Sequence, residues 1–556
     1  MRTLVPTTLT LLTLSIACNG GRNDTGDGRG FSMDFQGVKV SPIQPETGDF
    51  PGLVGAPNLD DDNEDGTADW DEEGGVPSEN EWVELLLHTE GESVRIELAG
   101  ETDNVRIWKG DTHVLGAELV DAPLTLSGAE EEVLLHVEFG DYLAQARLDV
   151  TQVETDERFS LRLTAAPLVI YHHMDPAQRV WMMEFPSNSN GLQNNDEMAQ
   201  AYSRELGDAY NKVTGRQYDW DPWVQDEFEW AVLDTPDHHV GVVIDSIRNG
   251  QGRPGSGLDD LPENEMVEPD VFVQEWGEGR GSSLDYFGNL EVSPPVTVDG
   301  VYYPFGRVYT GGKGAETPRP QLTDFLATQQ LQDPFMVDST WLCVGHIDEY
   351  TTFIPDPDSE KGFRLLITNT DDAWELLEAM DPSTALPKYA QRNMLGYGID
   401  TVGELLNQPG LRQLNNEIQE LYLDTQLARF KEELGLNDDD VIFVPGIFEE
   451  PLSMCGPYAA ALIPGMVNMI VAQDTDDNTA LFIPDPFIRA NSNDQSGDPF
   501  IQLMQERLPS SLKLHFVDDW AVYHMGLGEV HCGSNVERAP TVSWWEEAIH
   551  LLEDRL

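Results

Sequence analysis

Positive charge is scarce in this sequence: 32 lysines and arginines stand against 100 aspartates and glutamates, a formal −68 over 556 residues. A surface of that sign repels phosphate backbones, which excludes nucleic acid as a partner and favours cations, with calcium and basic peptides the natural ones. Cysteine is also rare, with only Cys18, Cys343, Cys455 and Cys532 in the chain. The opening apolar run, Leu4 to Ala17 after Met1-Arg2, is too short to span a membrane and has the length of a secretory signal core. It ends Leu14-Ser15-Ile16-Ala17-Cys18, a small residue before a cysteine, as at a bacterial lipoprotein processing site. Residues 1–18 are therefore expected to be a signal peptide with a lipid-anchored Cys18, placing the protein at the cell envelope, or secreted if the anchor is missing. With Cys18 acylated, three cysteines remain, and an odd count in an exported chain leaves at least one free thiol.

A chain of this length implies two or three domains. Residues 19–77 are rich in Gly, Asp, Asn and Pro without apolar periodicity and read as an acidic tether. Within them, Asp60-Asp61-Asp62-Asn63-Glu64-Asp65-Gly66-Thr67-Ala68-Asp69-Trp70-Asp71 places oxygen ligands at alternate positions around a Gly turn, similar to thrombospondin type 3 calcium loops. Residues 78–165 give short runs of period two, such as Glu81–Leu87, Ser93–Leu98 and Glu132–Glu138, which predict a small antiparallel β-sandwich. Residues 166–556 mix strands with helices, including Asp372–Leu377 and a long helical pattern from Gly403 to Leu434, and read as α/β.

The chemistry centres on Gly528-Glu529-Val530-His531-Cys532-Gly533-Ser534-Asn535-Val536. A cysteine between a β-type run and Gly-Ser-Asn sits at a sharp turn, the position of a nucleophile, and a thiolate attacks a carbon bearing nitrogen leaving groups better than a hydroxyl does. Cys343 and Cys455, in apolar surroundings, read as buried structural cysteines. His346 and Asp348 are two apart, so on a strand both would face one site: the histidine as general acid and base, the carboxylate as acceptor for a planar guanidinium. In Gln225-Asp226-Glu227-Phe228-Glu229, an extended backbone would put Asp226 on one face and Gln225, Glu227 and Glu229 on the other, offering oxygens to a hard cation.

Four segments carry a resemblance in order: Trp223-Val224-Gln225-Asp226-Glu227, Phe287-Gly288-Asn289-Leu290-Glu291-Val292-Ser293-Pro294-Pro295, Val344-Gly345-His346-Ile347-Asp348-Glu349 and the cysteine stretch. Across roughly residues 166–556 the chain resembles the protein-arginine deiminase family. The resemblance implies a five-bladed, pseudo-fivefold α/β propeller behind an immunoglobulin-like domain. It implies catalytic Asp226, His346, Asp348 and Cys532, and substrate contacts at Trp223, Arg248 and Val344. One calcium ion would be held by Gln225, Glu229, Glu291 and the carbonyls of Phe287 and Leu290, and a second by Glu227, Asp245, Ser246 and Asn249. The reaction implied is calcium-dependent hydrolysis of peptidyl-arginine to peptidyl-citrulline and ammonia. Gly250, Gly526 and Leu527 stand where some relatives carry basic residues, which bears on substrate preference; Arg253 is a candidate to compensate. Two other readings use similar groups: a deiminase or amidinotransferase for free arginine or agmatine, and a calcium-dependent surface binding protein without turnover.

Overall fold

The computed structural model describes residues 31–40, 52–59, 68–71, 77 and, from 82 to 552, all but 120–121, 129, 186–193, 249–256, 269–270, 277–280, 391–397, 452–454 and 540–542. The signal segment with Cys18, residues 60–67 of the acidic loop, Asn249, Gly250 and Arg253 lie outside the described residues. Among the described residues no helix is long and apolar enough to cross a membrane.

The alternating runs form strands whose apolar positions point one way, as period two requires. Val83–His88 buries Val83, Leu85 and Leu87, and the same alternation recurs along Val94–Gly100 and Gln145–Gln152. Two sheets face each other over this core. The first runs in the order Val38–Val40, Ser32–Phe35, Val83–His88, Glu132–Phe139, Val105–Lys109, Thr112–Gly116; the second Leu53–Gly55, Arg158–Ala165, Gln145–Gln152, Val94–Gly100, Leu124–Leu126. The sandwich thus begins near residue 31, inside the stretch expected to be a tether. Phe31, Met33, Phe35 and Leu53 are buried in its core, and strands of only three or four residues carry too little pattern to be read from sequence.

The rest of the chain is mixed α/β, and five of its sheets repeat one plan. In each, an antiparallel pair is extended by a parallel third strand reached through helix. The central strands are His239–Asp245, Val308–Gly311, Phe363–Asn369, Thr479–Pro484 and Ala177–Glu184. For the last of these, the antiparallel partner is Ser534–Arg538, from the far end of the chain. That pairing returns the segment holding Cys532 to the strand that opens the unit.

The helical pattern from 403 to 434 is divided. Val402–Leu406 stops before Gln408-Pro409-Gly410, where proline offers no N–H and Gly410 takes φ +75°. Helix then continues from Leu411 through a π-turn at Gln419–Leu423 to Leu434.

Candidate active site

The site is assembled by repetition of one local feature. The first strand of each sheet's antiparallel pair, Phe228–Asp234, Leu290–Val292, Thr351–Pro355, Ile470–Gln473 or Ser534–Arg538, is entered from a turn. Two or three residues before these strands stand Asp226, Gly288, Asp348, Asn468 and Cys532. These five meet.

Cys532 Sγ lies 3.4 Å from Asp348 Oδ2 and 3.2 Å from Asn468 Nδ2. Asn468 clamps the thiol loop: its Oδ1 accepts the backbone N–H groups of His531 (2.9 Å) and Cys532 (3.2 Å), while Nδ2 also reaches the Asp348 carbonyl at 3.2 Å. The Cys532 carbonyl accepts from Gln225 N at 3.3 Å, joining the loop to the turn that bears Asp226. Asp226 Oδ1 is 3.4 Å from His346 Nδ1. His346 Nε2 is 2.8 Å from the Ser283 carbonyl, which can only accept, so Nε2 carries a proton and Nδ1 is the nitrogen left facing the site. At Gly288 an added Cβ would fall 2.5 Å from His346 Nδ1, 2.9 Å from Asp226 Oδ1 and 3.3 Å from Asp348 Oδ2, so only glycine lets these three groups converge.

All four expected catalytic residues are therefore brought together and buried, with exposures of 5% for Cys532, 7% for Asp226, 1% for His346 and 2% for Asp348. Asp226 Oδ1 and Asp348 Oδ1 have no hydrogen-bond donor. Burial, only partly offset by His346 and Arg248, raises the Asp226 carboxyl above its usual range. Burial, then the fields of Asp348 and Asp226, pushes the Cys532 thiol up. A centre that holds a thiol beside two acids lacking donors is set for a planar cation.

Local geometry differs from expectation at both acids. Val224–Glu227 is a single helical turn, not a strand, and the extended chain starts only at Phe228. Ile347–Glu349 is a 3₁₀ turn, with Gly345 at φ +87° and the Glu349 side chain accepting from Gly345 N and His346 N. Alternation along a strand is therefore not what sorts these side chains. Turn geometry does so.

Trp223 packs beside the thiol loop: a Cβ on Gly528 would lie 2.4 Å from its ring, and one on Gly526 2.9 Å. The absence of side chains at both positions makes room for the indole. Arg248 is not free for a peptide. It is buried, donating to Glu227 Oε2 at 2.8 Å and Asp221 Oδ2 at 2.6 Å, because two buried carboxylates hold it inward. Val344 is half-buried beside Cys343.

Cys343 and Cys455, read as buried structural cysteines, are bonded to each other in a disulfide and are half-buried. The disulfide joins residues 112 apart, a pairing that no local pattern announces, and beside it Cys343 N–H donates to the Ala459 carbonyl at 2.7 Å. Closing so long a loop stabilises by about 5 kcal/mol in the chain-entropy account. Cys532 remains the free thiol among the described residues.

Behind Asp226 and Asp348 lies a cavity of about 20 Å³ lined by Gln225, Glu229, Leu290, Glu291, His173 and His531, among others. Phe287 O accepts from Gln225 Nε2 at 3.3 Å, so the five residues of the first expected calcium set converge. Burial raises Glu229 to about 7 and Glu291 to about 8. Burial opposes charge on His531, but Glu291 and Asp348 outweigh it and lift the imidazole to about 9. Its Nδ1 is 2.9 Å from Asp348 Oδ2 and its Nε2 3.5 Å from Glu291, linking the cavity to the thiol's neighbour. Two carboxylates beside carbonyl and carboxamide groups fit a hard cation, although Glu229 here accepts from Gln225 Nε2 at 2.8 Å and from Trp230 N at 3.1 Å. Of the second set, Ser246 N donates to the Glu227 carbonyl at 2.7 Å, and Asp245 is buried with Oδ1 lacking a donor.

Sequence reasoning missed Asn468, His531 and the role of Gly288. His531 was detectable as the neighbour of the nucleophile, and Asn468 by its place two residues before a strand, once the five sheets are aligned.

A mixed α/β unit closed by its last strand, with one buried thiol, one histidine and two aspartates at the entry turns, defines a thiol centre for cationic planar groups. Residues 156–546 match the family described as protein-arginine deiminase (PAD), and the chain belongs to that family. It is 35% identical over 346 residues to protein-arginine deiminase type-1 of Mus musculus, covering 58% of this chain and 47% of that protein. It is 31% identical over 467 residues to type-4 of Rattus norvegicus (78% and 65%), and 32% over 413 to type-4 of Homo sapiens (72% and 58%). The chain thus spans about half the length of the type-1 relative.

Proposed function

We propose that this protein is a calcium-dependent hydrolase that converts arginine side chains in proteins to citrulline, with release of ammonia. The observation that carries this is the pair of buried carboxylates, Asp226 and Asp348, each with an oxygen lacking a donor, beside the Cys532 thiol. A guanidinium is planar, always charged and able to donate to both acids at once. The names of the relatives, protein-arginine deiminases, agree with that substrate. We read the five sheets as the blades of a pseudo-fivefold propeller, with the entry turns at its axis.

The guanidinium cancels the fields of Asp226 and Asp348 that keep Cys532 protonated, so when substrate is present the thiol gives its proton to His346 Nδ1 and the thiolate forms. Sulfur attacks the guanidinium carbon and a C–S bond forms. The C–N bond to the terminal nitrogen breaks, and His346 Nδ1 supplies the proton with which ammonia departs. Water then adds to the amidino-thioether carbon, His346 takes its proton back, and the C–S bond breaks to give the urea of citrulline and free Cys532. Asp226 and Asp348 hold the carbon in line with sulfur throughout. Trp223 covers the aliphatic stem.

Gln225, Glu229, Glu291 and the carbonyls of Phe287 and Leu290 would hold calcium behind Asp226. Bound there, calcium supplies positive charge that ionises Glu229 and Glu291 and fixes the turn carrying Asp226. The apolar run ending at Cys18 supports a lipid anchor at the bacterial cell envelope, with secretion as the alternative. Cys18→Ala should release it from the membrane fraction.

The test is citrulline release from an arginine-containing protein, with and without chelator, against free arginine as competitor substrate. Turnover on protein that needs calcium is expected. Preference for free arginine, or undiminished turnover in chelator, would reject the corresponding part of the reading.

A further inference from the structure

The crossover between the strands His239–Asp245 and Val271–Glu275 builds a cluster that the catalytic residues do not use. Asp245 and Glu275 are register partners at the ends of two parallel strands, where like charges face each other at a cost. Glu263, on the short helix Leu261–Glu265 within the crossover, adds a third carboxylate, and ligand oxygens of the three lie within 4.8 Å of one another. Acids that meet at a surface of so acidic a chain need no explanation, but Asp245 is 93% buried by its 7% exposure, and its Oδ1 has no donor. The neighbouring Glu227 is fully buried, and its Oε1 has no donor either. The nearby cation, Arg248, is bound to Glu227 and Asp221, and among the described residues no ion pair is formed by Asp245, Glu263 or Glu275.

We propose that Asp245, Glu263 and Glu275 form a binding site for a hard divalent cation, calcium by its all-oxygen chemistry, with Glu263 and Glu275 as ligands. Those two residues lie outside the set Glu227, Asp245, Ser246 and Asn249 that the family resemblance implies, and they come from the crossover helix and the third strand instead of the entry turn and the end of the central strand. A cation there ties together the ends of two strands and the crossover between them. It acts on the catalytic centre through a short route: Asp245 precedes Ser246, whose N–H holds the Glu227 carbonyl at 2.7 Å, and Glu227 follows Asp226. The regulatory consequence rests on the deiminase reading; the site itself does not.

The experiment is a calcium titration of the full chain by calorimetry, without substrate, for the parent and for Glu263→Gln/Glu275→Gln. Melting temperature is measured alongside, in calcium and in chelator. The double variant should lose one bound calcium, or weaken one binding class at least tenfold, and its calcium-induced rise in melting temperature should shrink. In chelator it should melt no lower than the parent, since the repelling charges are gone. Equal stoichiometry, equal affinities and an equal rise would overturn the site. Should the double variant not fold, Glu275→Gln alone is read by the same measurements, with the same two outcomes. Because no citrulline is measured, failure here is separate from failure of the proposed reaction.

Discussion

The sandwich and the five-sheet unit both bury acids, and they treat them in opposite ways. Glu138, at the sandwich core, accepts from Asn58 Nδ2 at 2.9 Å and Trp108 Nε1 at 2.8 Å, with Arg106 3.6 Å away and itself stacked on Trp70. Each Glu138 oxygen has a partner from within the chain. At the catalytic centre Asp226, Asp348, Glu227 and Asp245 each keep one oxygen without a donor. A buried acid left short of donors costs stability comparable to a lost hydrogen bond, of order 1–3 kcal/mol each. The first arrangement holds a fold together. The second leaves buried carboxylate oxygens open, where the proposed guanidinium and calcium would sit.

The largest effect that would test this contrast is loss of the thiol: Cys532→Ala should lower citrulline release by about 10⁴-fold or more, leaving the melting temperature near that of the parent. Release at the parental rate would remove the nucleophile from the scheme. Next, Asp226→Asn and Asp348→Asn should each cost about 10²–10³-fold in kcat/KM, because each amide presents a neutral partner to the guanidinium. Neither should destabilise the ligand-free fold, and a falling melting temperature would show that these acids are structural like Glu138. Asn468→Ala should cost about 10²-fold in kcat by loosening the thiol loop. Here alkylation of Cys532 by iodoacetamide is the independent readout, and an unchanged rate would deny the clamp.

Glu138→Ala supplies the converse, a stability loss of about 1–3 kcal/mol by denaturant melting with kcat intact, since it strands Asn58 and Trp108. The smallest effect concerns pH. Glu229 and Glu291 have folded pKa values of about 7 and about 8, raised above their unfolded range. Their protonated forms therefore stabilise the calcium-free fold, fully so below the unfolded value of 4.5, and that contribution is lost progressively as pH rises from there through about 7 and about 8. In chelator the melting temperature should fall across that window, and saturating calcium should flatten the fall. A flat profile in chelator would mean that the two acids find other counter-charges.

Much of this was legible before the structure. Cys532, His346, Asp226 and Asp348 were readable because their residue types and order carry the chemistry regardless of backbone shape. Their backbone was not, since a strand was expected at both His346–Asp348 and Gln225–Glu229. The 3₁₀ turn depends on Glu349 capping it and on Gly345 in a left-handed conformation, and the helical turn at Val224–Glu227 on packing around Trp223. The long helical pattern after Gly403 was visible, but the break at Pro409-Gly410 outweighed the periodicity around it. Contacts between distant segments left no local trace: the Cys343–Cys455 bond, the hold of Asp221 and Glu227 on Arg248, and the clamp of Asn468 on residues 63 and 64 further along.

The strand Ser534–Arg538, which completes the sheet begun by Ala177–Glu184, also sets when during biosynthesis the enzyme can first act. A nascent polypeptide leaving the ribosome holds its aspartates and histidine long before it holds the thiol, and stays inert until that late segment has emerged and docked. Under the proposed deimination, a cell making this chain is shielded from it until that strand has docked, and a product cut short before residue 532 lacks the thiol.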